Sequence, residues 1–110
     1  MTDKIVVLTT CATPDEARLI AGELISRRLA ACVNLLPPVR SIYHWKGAVE
    51  EGEETLMIIK SARPLVEQLK ATIVAMHSYE VPEIIALPIV DGAASYLGWM
   101  DRELALTESE

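Results

Sequence analysis

Apolar and polar positions alternate along this chain with two different periods, and the changes of period mark its elements. Ile5-Val-Val-Leu8 is a short continuous apolar run rich in β-branched residues, which predicts a strand buried in the middle of a sheet. Thr13-Pro-Asp-Glu16 follows as a helix start, with Thr13 as cap, Pro14 in the first turn and Glu16 completing a capping box. Beyond it, Ala17, Ile20, Ala21 and Leu24 recur at helical spacing on one face. From Cys32 the period becomes that of a strand, with Val39, Ser41, Tyr43 and Trp45 facing one way and Arg40, Ile42, His44 and Lys46 the other. The acidic run Glu50–Glu54 around Gly52 predicts a turn, and Thr55 to Lys60 a returning strand, so the two form a long hairpin.

Pro64 opens a second helix whose Leu65, Leu69, Ile73 and Met76 share a face. Ile84 to Val90 predicts a last strand, and after Asp91-Gly92 a short terminal helix carries Tyr96, Leu97, Met100 and Leu104. The order β-α-β-β-α-β plus a helix predicts an α+β fold of the split βαβ, ferredoxin-like kind. In that arrangement the first and third strands are central and the second and fourth are edges. Pro37, Pro38, Pro82 and Pro88 all fall in the segments assigned to edges, where proline is tolerated.

Composition then narrows the function. The 110 residues contain no low-complexity stretch or linker and read as one domain over 1–110. Hydrophobic types make up 51% of the chain, a surplus for a domain this small that points to apolar surface shared between subunits. Sixteen acidic against ten basic residues give a net charge of −6, which disfavours a nucleic-acid partner. The apolar run Ile84–Val90 is too short to span a bilayer, and no signal peptide is visible after Met1, so the expected setting is cytoplasmic, with no membrane partner. Two cysteines without a secretory signal do not form a disulfide framework.

Several separate segments carry a resemblance. Ala30-Ala-Cys-Val-Asn34, Tyr43-His-Trp-Lys-Gly47, His77-Ser-Tyr-Glu-Val-Pro-Glu-Ile84 and Tyr96-Leu-Gly-Trp99 are similar, in this order, to the CutA family of divalent-cation tolerance proteins. The resemblance runs from Ile5 to Leu104 and implies a homotrimer like that of the PII signalling proteins. It also implies a role in divalent-metal, above all copper, tolerance, and it attributes copper binding to the positions of Cys11 and His77.

The predicted topology brings those two residues to one end of the sheet. Strand one ends near Cys11, and the second helix ends at His77. Cys32 starts strand two at the opposite end, so a Cys11–Cys32 disulfide is not expected. Thiolate and imidazole suit copper, with zinc as a second candidate. Met76, Glu80, Glu83 or a group from a neighbouring subunit could complete such a set. Both residues also have plain structural readings, Cys11 as a buried thiol and His77 as a favourable helix C-terminus. Cys32 reads as core and His44 as an exposed strand residue.

Tyr43, Trp45, Tyr79, Tyr96 and Trp99 read as interface residues, or else as the walls of a pocket for a planar ligand. The expected function is therefore non-catalytic: a metal-binding trimer, with room for a protein partner that reads its state. The alternative is a PII-like sensor with a small ligand in clefts between subunits. A small enzyme such as an acylphosphatase would need an arginine and an anion-cradling loop, where this chain has Thr9-Thr-Cys-Ala-Thr13.

Overall fold

The computed structural model describes residues 2–106. The strands are β1 (Lys4–Cys11), β2 (Cys32–Trp45), β3 (Ala48–Ala62) and β4 (Ile85–Pro88), and the helices are α1 (Pro14–Ser26), α2 (Val66–Met76) and α3 (Ala94–Glu103). The strands form one antiparallel sheet in the order β2-β3-β1-β4. Thus β1 and β3 hold the centre and β2 and β4 the edges, as the element order predicts.

Alternation along the central strands divides the sheet into two unlike faces. Ile5, Val7 and Cys11 of β1 and Met57 and Ile59 of β3 are buried on one side. Ala17, Ile20 and Leu24 of α1, with Leu69 and Ile73 of α2, cover them in a continuous core. Each large aliphatic side chain fully buried there contributes about 1.5–3 kcal/mol relative to exposure. On the other side, Val6 and Leu8 lie beside Leu56 and Ile58, and Leu36, Ile85 and Leu87 extend this row to both edges. Toward its edges this face is open: Leu36, Ile85 and Leu87 are 43%, 47% and 44% exposed.

Thr13 caps α1 as predicted, its Oγ1 accepting the Glu16 N–H at 3.1 Å. The α2 segment begins with a 3-10 turn at Arg63–Leu65 that contains Pro64, and the α-helix proper starts at Val66. Lys4, buried at the start of β1, reaches Asp101 of α3 at 2.7 Å and also pairs with Asp3, which ties the terminal helix to the sheet. Burial alone would lower the pKa of this lysine, but the two carboxylates outweigh it and hold it above the ordinary value.

Two boundaries differ from expectation. The hairpin does not turn at Glu50–Glu54; it turns at Lys46-Gly47, between Trp45 and Ala48. Both turn residues have positive φ, 52° at Lys46 and 84° at Gly47, which is the geometry a two-residue hairpin needs to match the strand twist. The acidic run instead lies within β3, where the hairpin projects past the other strands and meets water on both sides. Its polarity reports that exposure rather than a chain reversal. Strand β4 is also shorter than Ile84–Val90, and Pro82 falls in the preceding loop. In β2 the register shifts between Leu36 and Val39, across Pro37 and Pro38, which cannot donate to the ladder and whose mutual peptide bond is cis.

Candidate functional site

The end of β1 and the end of α2 meet above the core. Cys11 is the last residue of β1 and His77 the residue that caps α2. The Cys11 Sγ lies 3.7 Å from the His77 Nε2, so the expected juxtaposition is present. Cys11 pairs with Thr55 on β3 whereas Cys32 pairs with Lys60 on the same strand, five residues along. That separation is about 17 Å along the strand, far beyond disulfide reach.

A residue not singled out from the sequence completes this contact. Met57 Sδ is 3.5 Å from Cys11 Sγ and fully buried. The signal was available in the alternation of β3: Met57 lies two residues from Thr55, the register partner of Cys11, and on the same face. Met76, proposed from its position beside His77, stands at the last turn of α2 and is 38% exposed. Glu80 and Glu83 are exposed in the following loop.

Hydrogen bonding fixes the imidazole. His77 Nε2 lies 2.7 Å from the Thr10 carbonyl oxygen, which can only accept, so Nε2 carries the proton. Nδ1 in turn accepts the Tyr79 N–H at 3.1 Å. Glu16 Oε2 stands 3.7 Å from Nδ1 and accepts the Ser78 N–H at 2.6 Å, while Oε1 accepts the Ala12 N–H at 3.3 Å. The Glu16 side chain therefore spans from the start of α1 to the loop after α2. Burial would raise its pKa, but the Ser78 hydrogen bonds, the neighbouring His77 and the Ala12 N–H together hold it below the ordinary carboxylate range.

Cys11 is in the opposite condition. Burial first, and the Glu16 and Glu54 carboxylates after it, push its pKa up to about 12. At neutral pH the residue is a thiol, not a thiolate, and an unactivated nucleophile. Cys11, Met57 and His77 thus place a thiol, a thioether and an imidazole together. This is a soft donor set suited to copper, whose thiol must lose its proton to ligate.

The aromatic set divides between two places. Tyr96 and Trp99 pack on each other along α3 with ring centroids 5.4 Å apart. Tyr43, Trp45 and Tyr79 line a cavity between the hairpin and the loop after α2. His44 is exposed on β2, and Cys32 is half-buried. Among the described residues no helix is long and apolar enough to cross a membrane.

Comparison with known proteins gives this arrangement a lineage. The divalent-cation tolerance protein CutA of Thermus thermophilus is 46% identical over 95 residues, covering 86% of this chain and 92% of that protein. The rice protein named CutA 1, chloroplastic, is 44% identical over 96 residues, covering 87% of this chain but 54% of its own length. The chain likewise spans only about half the length of its human and mouse relatives, 54% and 55%. The crystal structure of CutA1 from Oryza sativa superposes with a TM-score of 0.91 at 42% identity, covering 96% of this chain and 95% of that one. Residues 5–103 match the family described as CutA1 divalent ion tolerance protein, and on the strength of that match and these relatives the chain belongs to the CutA1 family.

Proposed function

We propose that this chain acts in divalent-metal tolerance as a cytoplasmic, ferredoxin-like homotrimer of the PII type, binding copper through Cys11 and His77. The observation that carries the reading is the convergence of Cys11 Sγ with Met57 Sδ at 3.5 Å and His77 Nε2 at 3.7 Å. Met57 supplies the thioether at hand; Met76 is a second thioether, one residue from His77, available to a rearranged site or a neighbouring copy. The metal is cargo in this reading, with zinc a second candidate on the same donors.

The donors meet copper at a cost that tunes the affinity. Cys11 has to release a proton from a thiol whose pKa stands at about 12. For Nε2 to ligate, the His77 proton moves to Nδ1, which then gives up the Tyr79 N–H and faces Glu16 Oε2 from 3.7 Å. A carboxylate behind a ligating histidine is the usual partner for that tautomer. Binding is accordingly weak and strengthens with rising pH. A protonated thiol is also the wrong state for nucleophilic catalysis, which favours a binding role over an enzymatic one.

Self-association rests on the apolar sheet face that the helices leave uncovered. Val6, Leu8, Leu56, Ile58 and Leu87 form a continuous patch between two edge strands, the kind of surface a second copy covers.

A copper(I) titration against a chromophoric chelator tests the metal reading. Cys11→Ser and His77→Ala are each expected to weaken binding by about tenfold or more. Met57→Leu, which keeps the core volume, is expected to weaken it less. Unchanged affinity in both Cys11→Ser and His77→Ala overturns the assignment.

A further inference from the structure

Within one subunit, the projecting hairpin and the loop after α2 flank an open cavity of about 700 Å³ that the Cys11–His77 contact does not use and that a neighbouring copy in the proposed trimer would border. Its size falls within the range of small-molecule sites, about 300–1,000 Å³. Its walls are of two kinds. Tyr43 and Trp45 present rings from β2, and Tyr79 presents a third from the loop. Glu54 of β3 and Glu80 and Glu83 of the loop supply carboxylates.

The hairpin's charges are divided between its two faces. Arg40 pairs with Glu51 and Glu53 at 3.3 Å each, on the face away from Ser41 and Tyr43. Among the described residues no lysine, arginine or histidine forms an ion pair with Glu54, Glu80 or Glu83. The Glu54 carboxylate is held instead by the hydroxyls of Ser41 and Tyr79, which donate to its two oxygens. The Tyr79 hydroxyl thus donates to the carboxylate and turns its ring along the cavity wall. The cavity therefore has an oriented carboxylate without a cation.

We propose that this cavity is a binding site for a small organic cation with a planar apolar body, its charge against Glu54 and its body against Tyr43 and Trp45. The charged side chains in the cavity wall, Glu54, Glu80 and Glu83, are all acidic and would repel an anion. A bare divalent ion calls for several converging oxygen ligands, whereas both Glu54 oxygens already accept from the Ser41 and Tyr79 hydroxyls. A delocalised organic cation needs no such convergence, because aromatic faces attract it as well. The chain already shows that preference at the rim, where Lys46 Nζ lies 5.7 Å from the Trp45 ring centroid. This site takes none of the donors of the copper reading, and Tyr79, whose N–H meets His77, is the residue common to both.

Calorimetric titration of the full chain, in its native oligomeric state, with benzamidinium and with benzamide tests the proposal. The two probes share a shape and differ in charge. Benzamidinium is expected to bind about tenfold more tightly than benzamide. Glu54→Gln is expected to erase that difference, and Trp45→Leu to weaken both probes. Glu83→Gln, in an exposed loop position, is expected to weaken benzamidinium alone by about threefold, which keeps the test independent of any loss of folding at Glu54. Equal binding of the two probes overturns the proposal, as does absence of benzamidinium binding or its displacement by millimolar magnesium. Copper binding that fails in Cys11→Ser while benzamidinium still binds separates this site from the metal reading.

Discussion

The Glu16 carboxylate accepts hydrogen bonds from the N–H groups of Ala12 and Ser78, and so fastens the start of α1 to the loop that carries His77. A capping box would have used this side chain locally, on the N–H of Thr13; the structure spends it on a tertiary contact instead. Glu16→Gln keeps an acceptor but loses the charge, and is expected to cost about 1–2 kcal/mol at pH 7. Because the Glu16 pKa is depressed on folding, its contribution is present above the unfolded-state value of about 4.3 and is lost as pH falls through the folded value. Urea unfolding at pH 7 and at pH 3 should therefore show a gap between wild type and variant that narrows in acid. A gap that stays constant would mean that the carboxylate's charge contributes nothing. The same residue approaches His77 Nδ1, so the variant also probes the tautomer that the proposed copper site requires.

At the scale of elements, the hairpin turn depends on a backbone conformation rather than on polarity. Gly47 has φ of 84°, where an added Cβ would meet no neighbour but would strain the chain. Gly47→Ala is expected to destabilise by about 1 kcal/mol, and Lys46→Asn, a residue more at ease in the left-handed region, to stabilise by a few tenths. Thermal unfolding of the two variants checks both signs. This turn also shows where sequence reading stops. Helix α1 was legible because Thr13 and Pro14 act locally, and the central place of β1 and β3 followed from element order. The Glu50–Glu54 run misled because polar residues occur both in turns and on projecting strands, and only φ distinguishes them. At the candidate site, topology alone brought Cys11 to His77. Met57 was hidden by register, since its place beside Cys11 depends on Cys11 facing Thr55. Glu16 was hidden by an equally good local role.

On the scale of the whole molecule, the sheet has a helix-covered face and an apolar one left open. Ile58 lies at the centre of the open face, paired to Leu8 on one side and Asn34 on the other. If the proposed trimer forms through this face, Ile58→Glu is expected to shift it to monomer at micromolar concentration, measured by light scattering on a sizing column. The wild-type melting temperature should rise with protein concentration, as linkage between folding and association requires. A wild-type chain that scatters as a monomer, or a variant that remains a trimer, defeats the assembly.

The open face also governs how such a protein is lost. In the proposed trimer, a subunit that parted from its neighbours would expose the apolar row of Val6, Leu8, Leu56 and Ile58 with two edge strands beside it. Open edge strands pair with other strands they meet, so separation would favour precipitation. The working lifetime of such an assembly would then be set by how rarely its subunits come apart, a rate rather than an equilibrium. Substitutions on this face would shorten or lengthen that lifetime while the folded subunit itself stayed unchanged.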